Sequence, residues 1–178
     1  MSEIPNLRVV ITGAPGSGKS TLIKVLSEMG YQTFTEVSRS LIEKGMVAPI
    51  RQPEPNPGRF LGRVVSQRID QHWAWNGSQL AFYDRGLPDS LAYLKYMKKE
   101  VPGWLTDIIK EHPYHHKVVF LPPWKKIFRQ DHVRKEPFEE TLLLHQLLRE
   151  VYSALDYQIF ELPECPVQER AELLLSLL

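Results

Sequence analysis

Apolar and polar positions follow two patterns along almost the whole chain, one typical of strands and the other typical of helices. Five short runs are rich in β-branched or aromatic residues and are bounded by glycine, proline or polar residues, which predicts buried strands. These runs occupy 7–12, 31–34, 79–83, 117–121 and 157–162. We expect them to form the sheet of the protein.

Between the strands, apolar residues recur three and four positions apart, which places them on one face of a helix. The first such stretch runs from Leu22 to Met29, and Gly30 is a suitable helix stop. Further helices are predicted at about 36–44, 61–76, 87–99, 102–111, 144–155 and 166–178. Strands that alternate with helices predict a doubly wound five-stranded parallel α/β sheet. We interpret residues 1–178 as a single domain, because the chain has the length of one domain.

Two segments fit neither pattern, and we expect both to be loops on the core domain. Residues 45–58 contain four prolines, which exclude regular structure and favour either a mobile connection or a loop that covers a ligand. Residues 124–136 carry five basic side chains after a strand end, and we expect them to fold over bound phosphates as a lid. Arg129 and Arg134 are the candidate phosphate contacts. The alternative is that this segment forms a solvated helical face.

Composition narrows the range of functions. The net charge of +1 is almost balanced, so the sequence indicates no basic surface for nucleic acid. Cys165 is the only cysteine, which excludes a disulfide framework and a multi-cysteine metal site. The first residues lack the features of a signal peptide, and no apolar run is long enough to span a membrane, so we expect a cytoplasmic protein. None of these features indicates the oligomeric state.

The segment between the first strand and the first helix has the most specific chemistry. It reads GAPGSGKST and fits the phosphate-binding pattern G-x-x-x-x-G-K-[ST]. Its glycines allow backbone N–H groups to approach phosphate oxygens, and the helix N-terminus adds partial positive charge. We expect Lys19 to reach the β- and γ-phosphates of ATP, and the Ser20 hydroxyl to ligate Mg²⁺. The predicted nucleotide-binding residues are Gly13, Ala14, Pro15, Gly16, Ser17, Gly18, Lys19, Ser20 and Thr21.

Acidic residues follow two other predicted strands, at the edge where open α/β sheets bind ligands. Asp84 follows the third strand and is suited to hold Mg²⁺ or to accept a proton from an attacking hydroxyl. An ordinary turn is the alternative there. The adjacent Arg85 is a candidate contact for the transferred phosphoryl group or for the acceptor. Glu36 follows the second strand and is suited either to orient a substrate hydroxyl or a Mg²⁺-bound water, or only to compensate the helix dipole.

Missing motifs argue against several mechanisms found among P-loop proteins. The chain lacks the Asn/Thr-Lys-x-Asp motif of Ras-type GTPases and the Leu-Ser-Gly-Gly-Gln motif of ABC-type ATPases. Most AAA-type ATPases follow the strand aspartate with a glutamate that activates water, whereas Arg85 occupies that position here. Phosphate transfer to an organic acceptor is therefore favoured over efficient hydrolysis.

Five motifs distributed over nearly the whole chain point to a known family. They are GAPGSGKST, FTEVSRSLIEKG, FYDRGLPDSLAYL, VVFLPPW with the basic segment after it, and the Glu-Leu-Pro before the last helix. In these motifs the chain resembles a small P-loop family, often described as AAA domain or predicted ATPase. This family includes the nicotinamide riboside kinase domain of a bacterial NAD-synthesis regulator. The resemblance implies a fold like that of nucleoside and nucleotide kinases with strand order 2-3-1-4-5. It also implies that Asp84, Arg85 and the arginines after Pro123 act near the phosphates.

We therefore interpret the chain as an ATP- and Mg²⁺-dependent phosphotransferase that acts on a small hydroxyl-bearing metabolite, with nucleosides as first candidates. The alternative is a regulatory NTPase with slow hydrolysis and a protein or lipid partner, because a related eukaryotic member of the family is regarded as a GTP- and lipid-binding protein. The sequence does not identify the acceptor or decide between ATP and GTP.

Overall fold

The computed structural model describes residues 6–44, 57–129 and 137–178, and within them five strands form one sheet. The strands are β1 (Arg8–Gly13), β2 (Gln32–Phe34), β3 (Ala81–Asp84), β4 (Lys117–Leu121) and β5 (Gln158–Glu161). The helices are α1 (Lys19–Glu28), α2 (Val37–Glu43), α3 (Pro57–Trp73), α4 (Pro88–Tyr96), α5 (Gly103–Glu111), α6 (Phe138–Ala154) and α7 (Val167–Leu177). Each predicted strand is therefore present, and helices alternate with the strands as expected.

The strands are all parallel and lie in the order β2-β3-β1-β4-β5, which confirms the predicted topology. β1 is central, since Val10 pairs with Tyr83 of β3 on one side and Ile11 pairs with Val119 of β4 on the other. Parallel strands present their carboxyl ends at one edge of the sheet. The loops that follow the strands are therefore brought together at that edge.

Both faces of the sheet are covered, because successive strand residues point to opposite sides. On one face, Val9, Ile11 and Phe82 pack with residues of α1 and α7. On the other face, Val10 and Tyr83 pack with residues of α4, α5 and α6. The central strands are consequently buried on both sides, as their continuous apolar sequences predicted.

The structure corrects the predicted boundaries in several places. Pro57 and Gly58 belong to the first turn of α3 rather than to the predicted loop 45–58, because proline fits the first turn of a helix. α4 ends at Tyr96, where Lys98 adopts a positive φ of 53°. The rest of the predicted loop, 45–56, lies outside the described residues. So does 130–136 of the predicted lid, which includes Arg134.

No helix in the described ranges has both the length and the apolar character needed to cross a membrane.

Candidate active site

The loops at the carboxyl edge of the sheet surround an open cavity of about 600 Å³. Its walls include Gly16 and residues 18–21 of the P-loop (residues 13–21), Glu36 after β2, Trp124 after β4 and Pro166 after β5. Four connections that are distant in the sequence therefore meet at one site. The site lies where the sequence analysis placed the ligand.

The P-loop backbone requires glycine at Gly13. This residue has a φ of 123°, and a Cβ there would lie 2.2 Å from the carbonyl oxygen of Leu121. The loop thus packs directly against the end of β4 with no room for a side chain. Gly16 and Gly18 also have positive φ values, of 77° and 90°. The glycines of the motif therefore meet a steric requirement at Gly13 and a positive φ at all three positions.

Lys19 lies folded over the P-loop. Its Nζ donates hydrogen bonds to the carbonyl oxygen of Ala14 at 2.7 Å and of Gly13 at 3.2 Å, and to the Ser17 hydroxyl at 3.4 Å. The α1 N-terminus beside it has no capping side chain and no acidic residue in its first turn. Backbone N–H groups and one ammonium group are thus concentrated at the same point. This combination favours an anion.

Ser20 lines the cavity and forms a polar pair with the buried Asp84. The Ser20 hydroxyl donates to Asp84 Oδ2 at 3.0 Å, and among the described residues Asp84 Oδ1 is buried with no hydrogen-bond partner. Burial raises the pKa of Asp84 to about 6, and the negative charge of Glu36 contributes to the increase. A cation would relieve this buried charge. A hydroxyl and a carboxylate with one unpartnered oxygen fit the oxygen ligands that Mg²⁺ requires.

Arg85 is buried beneath the P-loop and connects three parts of the site. Its Nη1 donates to the carbonyl oxygen of Gly13 at 3.2 Å and to Asp89 Oδ1 at 3.0 Å, and its Nε donates to Glu36 Oε1 at 3.3 Å. The residue is only 2% exposed and has a φ of 75°, which is unusual for a residue other than glycine. A strained backbone that directs a buried guanidinium toward the P-loop is typical of a functional site.

Asp89, on α4, is a site residue that the sequence analysis missed. It is fully buried and accepts hydrogen bonds from Thr12, Arg85, Tyr152 and the Gly86 backbone at 2.6 to 3.0 Å. Burial alone would raise the pKa of Asp89, but the nearby arginines and the hydroxyl donors hold it below its ordinary value. Asp89 therefore remains charged and balances Arg85.

Glu36 lies at the junction between β2 and α2, with a side chain that is 14% exposed. It contacts Arg85 on one side and lines the cavity on the other. Arg129, in the described part of the predicted lid, also lines the cavity, and its Nη1 donates to the carbonyl oxygen of Phe128 at 2.8 Å. Arg39 of α2 lines the same cavity, and the sequence analysis did not predict this position.

Arg170 is a third residue at the site that the sequence analysis did not predict. It belongs to α7, is 3% exposed, and donates through Nη1 to the carbonyl oxygen of Ser17 at 3.0 Å. Its guanidinium carbon lies 4.7 Å from the centre of the Trp124 ring. The sequence showed α7 only as an amphipathic helix. Its periodicity indicated a buried face but not that an arginine on it reaches the P-loop.

Solved structures with a similar fold include several kinases. Deoxyadenosine kinase from M. mycoides with bound dATP has a TM-score of 0.62 and 17% identity, over 96% of this chain and 97% of that chain. Thymidylate kinase from Candida albicans has a TM-score of 0.67 and 14% identity, over 97% and 91%. Shikimate kinase from Aquifex aeolicus has a TM-score of 0.55 and 20% identity, over 96% and 95%. At these identities the similarity establishes the fold alone.

A comparison with curated protein sequences gave no match. The sequence profile of the family described as AAA domain (AAA_28) matches residues 8–170. This range extends from the first residue of β1 to Arg170 and so includes every site residue discussed above. The resemblance seen in the sequence motifs is confirmed at the level of this family. The chain belongs to the AAA domain family, with the fold of P-loop nucleoside and nucleotide kinases.

Proposed function

We propose that this protein is an ATP- and Mg²⁺-dependent kinase of a small hydroxyl-bearing metabolite, with nucleosides as the first candidates. A single observation carries the proposal. Lys19, Ser20 and Glu36 line one cavity, and the last two contact the buried side chains of Asp84 and Arg85 respectively. This arrangement has separate groups for the phosphates, the cation and an acceptor, in one site of a single domain.

The phosphate end of the site rests on the P-loop. Its N–H groups and the α1 N-terminus bind the anionic phosphates, and Lys19 exchanges its contacts with Gly13 and Ala14 for phosphate oxygens. Ser20 and Asp84 hold Mg²⁺, which when bound supplies neutralisation of the charge on the phosphates. Phosphoryl transfer needs little covalent work from the protein, so positioning and charge account for most of the catalysis.

The acceptor end of the site contains Glu36. We assign Glu36 as the group that takes the proton from the acceptor hydroxyl, because Asp84 already accepts the Ser20 hydroxyl and is suited to the cation. Arg85 orients Glu36 through the 3.3 Å contact between its Nε and Glu36 Oε1. In this proposal Arg85 acts on the base and the P-loop backbone rather than on the phosphoryl group itself.

The basic lid completes the proposal. Arg129, together with Arg134 outside the described residues, contacts the phosphates and neutralises charge that develops during transfer. Arg39 faces the same cavity and joins this set. Glu36 lines the cavity on the acceptor side, and the predicted loop 45–58, of which 45–56 lie outside the described residues, is the candidate segment to cover the acceptor. Closure around an acceptor explains how such an enzyme limits transfer to water.

Three structural neighbours support the kinase class, since they are a deoxyadenosine kinase, a thymidylate kinase and a shikimate kinase. Absence of a water-activating glutamate after Asp84 argues in the same direction, because Arg85 at that position is bound in a buried network. Nicotinamide riboside, suggested by the family resemblance, is one of the nucleosides to test first.

An acceptor screen tests the proposal. The protein is incubated with ATP, Mg²⁺ and one nucleoside or other hydroxyl-bearing metabolite at a time, and ADP formation is compared with the rate in water alone. We expect a slow basal rate and strong stimulation by the correct acceptor. Glu36→Gln should remove the stimulation and leave ATP affinity nearly unchanged, whereas Lys19→Ala should weaken ATP binding. Stimulation by a protein or lipid partner, with no small acceptor active, would establish the regulatory NTPase instead.

A further inference from the structure

Arg170 bridges two loops that are far apart in the sequence. Besides the Nη1 contact with the carbonyl oxygen of Ser17, its Nε donates to the carbonyl oxygen of Pro163 at 2.8 Å. A Cβ on Gly18 would lie 3.4 Å from Arg170 Nη1, so the guanidinium packs against the P-loop backbone itself. The Trp124 ring packs against the guanidinium, and both side chains line the cavity. The side chain is therefore fixed on several sides against one peptide of the P-loop.

The peptide that Arg170 contacts precedes a glycine. It joins Ser17 to Gly18, and Gly18 has a φ of 90° with no Cβ to restrict the peptide plane. In a trans peptide the C=O and N–H groups point in opposite directions. An arginine that holds the Ser17 carbonyl on one side therefore holds the Gly18 N–H on the other.

We propose that Arg170 is a positioning residue for phosphate binding, which keeps the Gly18 N–H directed at the phosphates. The inference rests on the proposed nucleotide function and adds to it a role for the last helix of the chain. Arg85 performs the corresponding task at the start of the P-loop, where its Nη1 holds the carbonyl oxygen of Gly13. The carbonyl groups of Gly13 and Ser17 are thus fixed by two arginines, Arg85 after β3 and Arg170 on α7.

A purely structural role in docking α7 is the competing explanation, and the chain provides a matched control. Ala171 and Leu174 already bury α7 against the sheet. Lys117, on β4, donates from Nζ to the carbonyl oxygen of Leu177 at 2.6 Å. It is therefore a basic side chain that ties down α7 without touching the P-loop. Lys117→Met should loosen α7 in a way comparable to Arg170→Ala but leave the Ser17–Gly18 peptide unchanged.

The test measures the affinity of each variant for ATP with Mg²⁺, for inorganic tripolyphosphate with Mg²⁺ and for adenosine, by titration monitored with NMR. Arg170→Ala should weaken ATP and tripolyphosphate by similar factors of about 10 or more, which is about 1.4 kcal/mol or more. Adenosine affinity should not change. Arg170→Lys retains one donor for the Ser17 carbonyl and should recover part of the loss. Lys117→Met should bind all three ligands as the wild type does.

Hydrogen exchange in the nucleotide-free protein keeps the test informative even for a destabilised variant. The measured quantity is the exchange rate of the P-loop amides divided by that of the β1 amides. This ratio should rise in Arg170→Ala and Arg170→Lys and should keep its wild-type value in Lys117→Met. Tripolyphosphate affinity that is insensitive to Arg170 would overturn this inference and leave the proposed function intact. So would an equal loss in Lys117→Met, or a loss confined to adenosine. A wild-type protein that binds neither ATP nor tripolyphosphate would overturn both.

Discussion

Replacement of Asp89 by asparagine should destabilise the protein strongly, because it removes the charge that balances buried Arg85. The substitution preserves the shape of the side chain. It replaces one acceptor oxygen with an NH₂ group in a pocket where four donors converge on Asp89. At least one of these donors then has no acceptor. The guanidinium also loses the negative charge of the partner that lies 3.0 Å away.

The magnitude follows from the burial of both partners. The side chains of Arg85 and Asp89 are 1% and 0% exposed, so solvent does not screen the loss. Breaking a buried ion pair by removing one partner costs roughly 3–5 kcal/mol. For a chain of this size each kcal/mol corresponds to roughly 2–4 °C, so the melting temperature should fall by about 6–20 °C. The remaining ion pair between Arg85 and Glu36 reduces this loss of stability.

Thermal unfolding by circular dichroism measures this effect, with two controls. Asp107→Asn makes the same chemical change at an exposed position of α5 and should alter stability by less than about 0.5 kcal/mol. Tyr152→Phe removes one donor to Asp89 and should have an intermediate effect. In an Arg85→Gln background, Asp89→Asn should cost much less than in the wild type. An Asp89→Asn protein as stable as wild type, or additive effects of the two substitutions, would refute the ion-pair argument.

Three further predictions concern the P-loop, the lid and pH. Gly13→Ala should destabilise the protein by at least about 1–3 kcal/mol in thermal unfolding, because its Cβ would overlap the Leu121 carbonyl at a positive φ; wild-type stability would contradict this packing. A bound ATP analogue should slow trypsin cleavage after Arg129, whereas cleavage indifferent to nucleotide would favour a solvated basic segment. Burial lowers the pKa of His72 below 6.5, so at mildly acidic pH the unfolded chain binds a proton at this residue more readily than the folded protein does. The stability of the folded protein should therefore fall as the pH drops below about 6.5. His72→Gln should flatten this dependence in denaturant unfolding between pH 7 and 5, and an unchanged slope would show that His72 does not contribute.

Features set by neighbouring residues were predictable from the sequence. The P-loop, the strand that precedes it and the helix that follows lie within one short stretch, so their pattern specifies both structure and chemistry. The parallel sheet followed from the alternation of strands and helices. Asp84 was predictable as a candidate site residue because the end of a parallel strand fixes its location.

Residues that join the site through distant contacts were not predictable in the same way. Arg170 and Ser17 are 153 positions apart, and Asp89 is 63 positions from Tyr152. Asp89 also lies in the first turn of a helix, where an acidic residue is common for local reasons. The role of Arg85 in the buried network depends on its positive φ, which no sequence pattern indicated. These contacts exist only once the strand order has brought the loops together.

The fate of the γ-phosphate of ATP tests the central claim most directly. Wild-type protein is incubated with Mg²⁺, an acceptor from the screen and ATP labelled in the γ-phosphate, and labelled products are separated and quantified against ADP. If the protein is a kinase, one labelled acceptor molecule forms for each ADP, and Glu36→Gln forms neither above the basal rate. If the label appears as inorganic phosphate with every acceptor, the protein hydrolyses ATP, and the kinase proposal is contradicted.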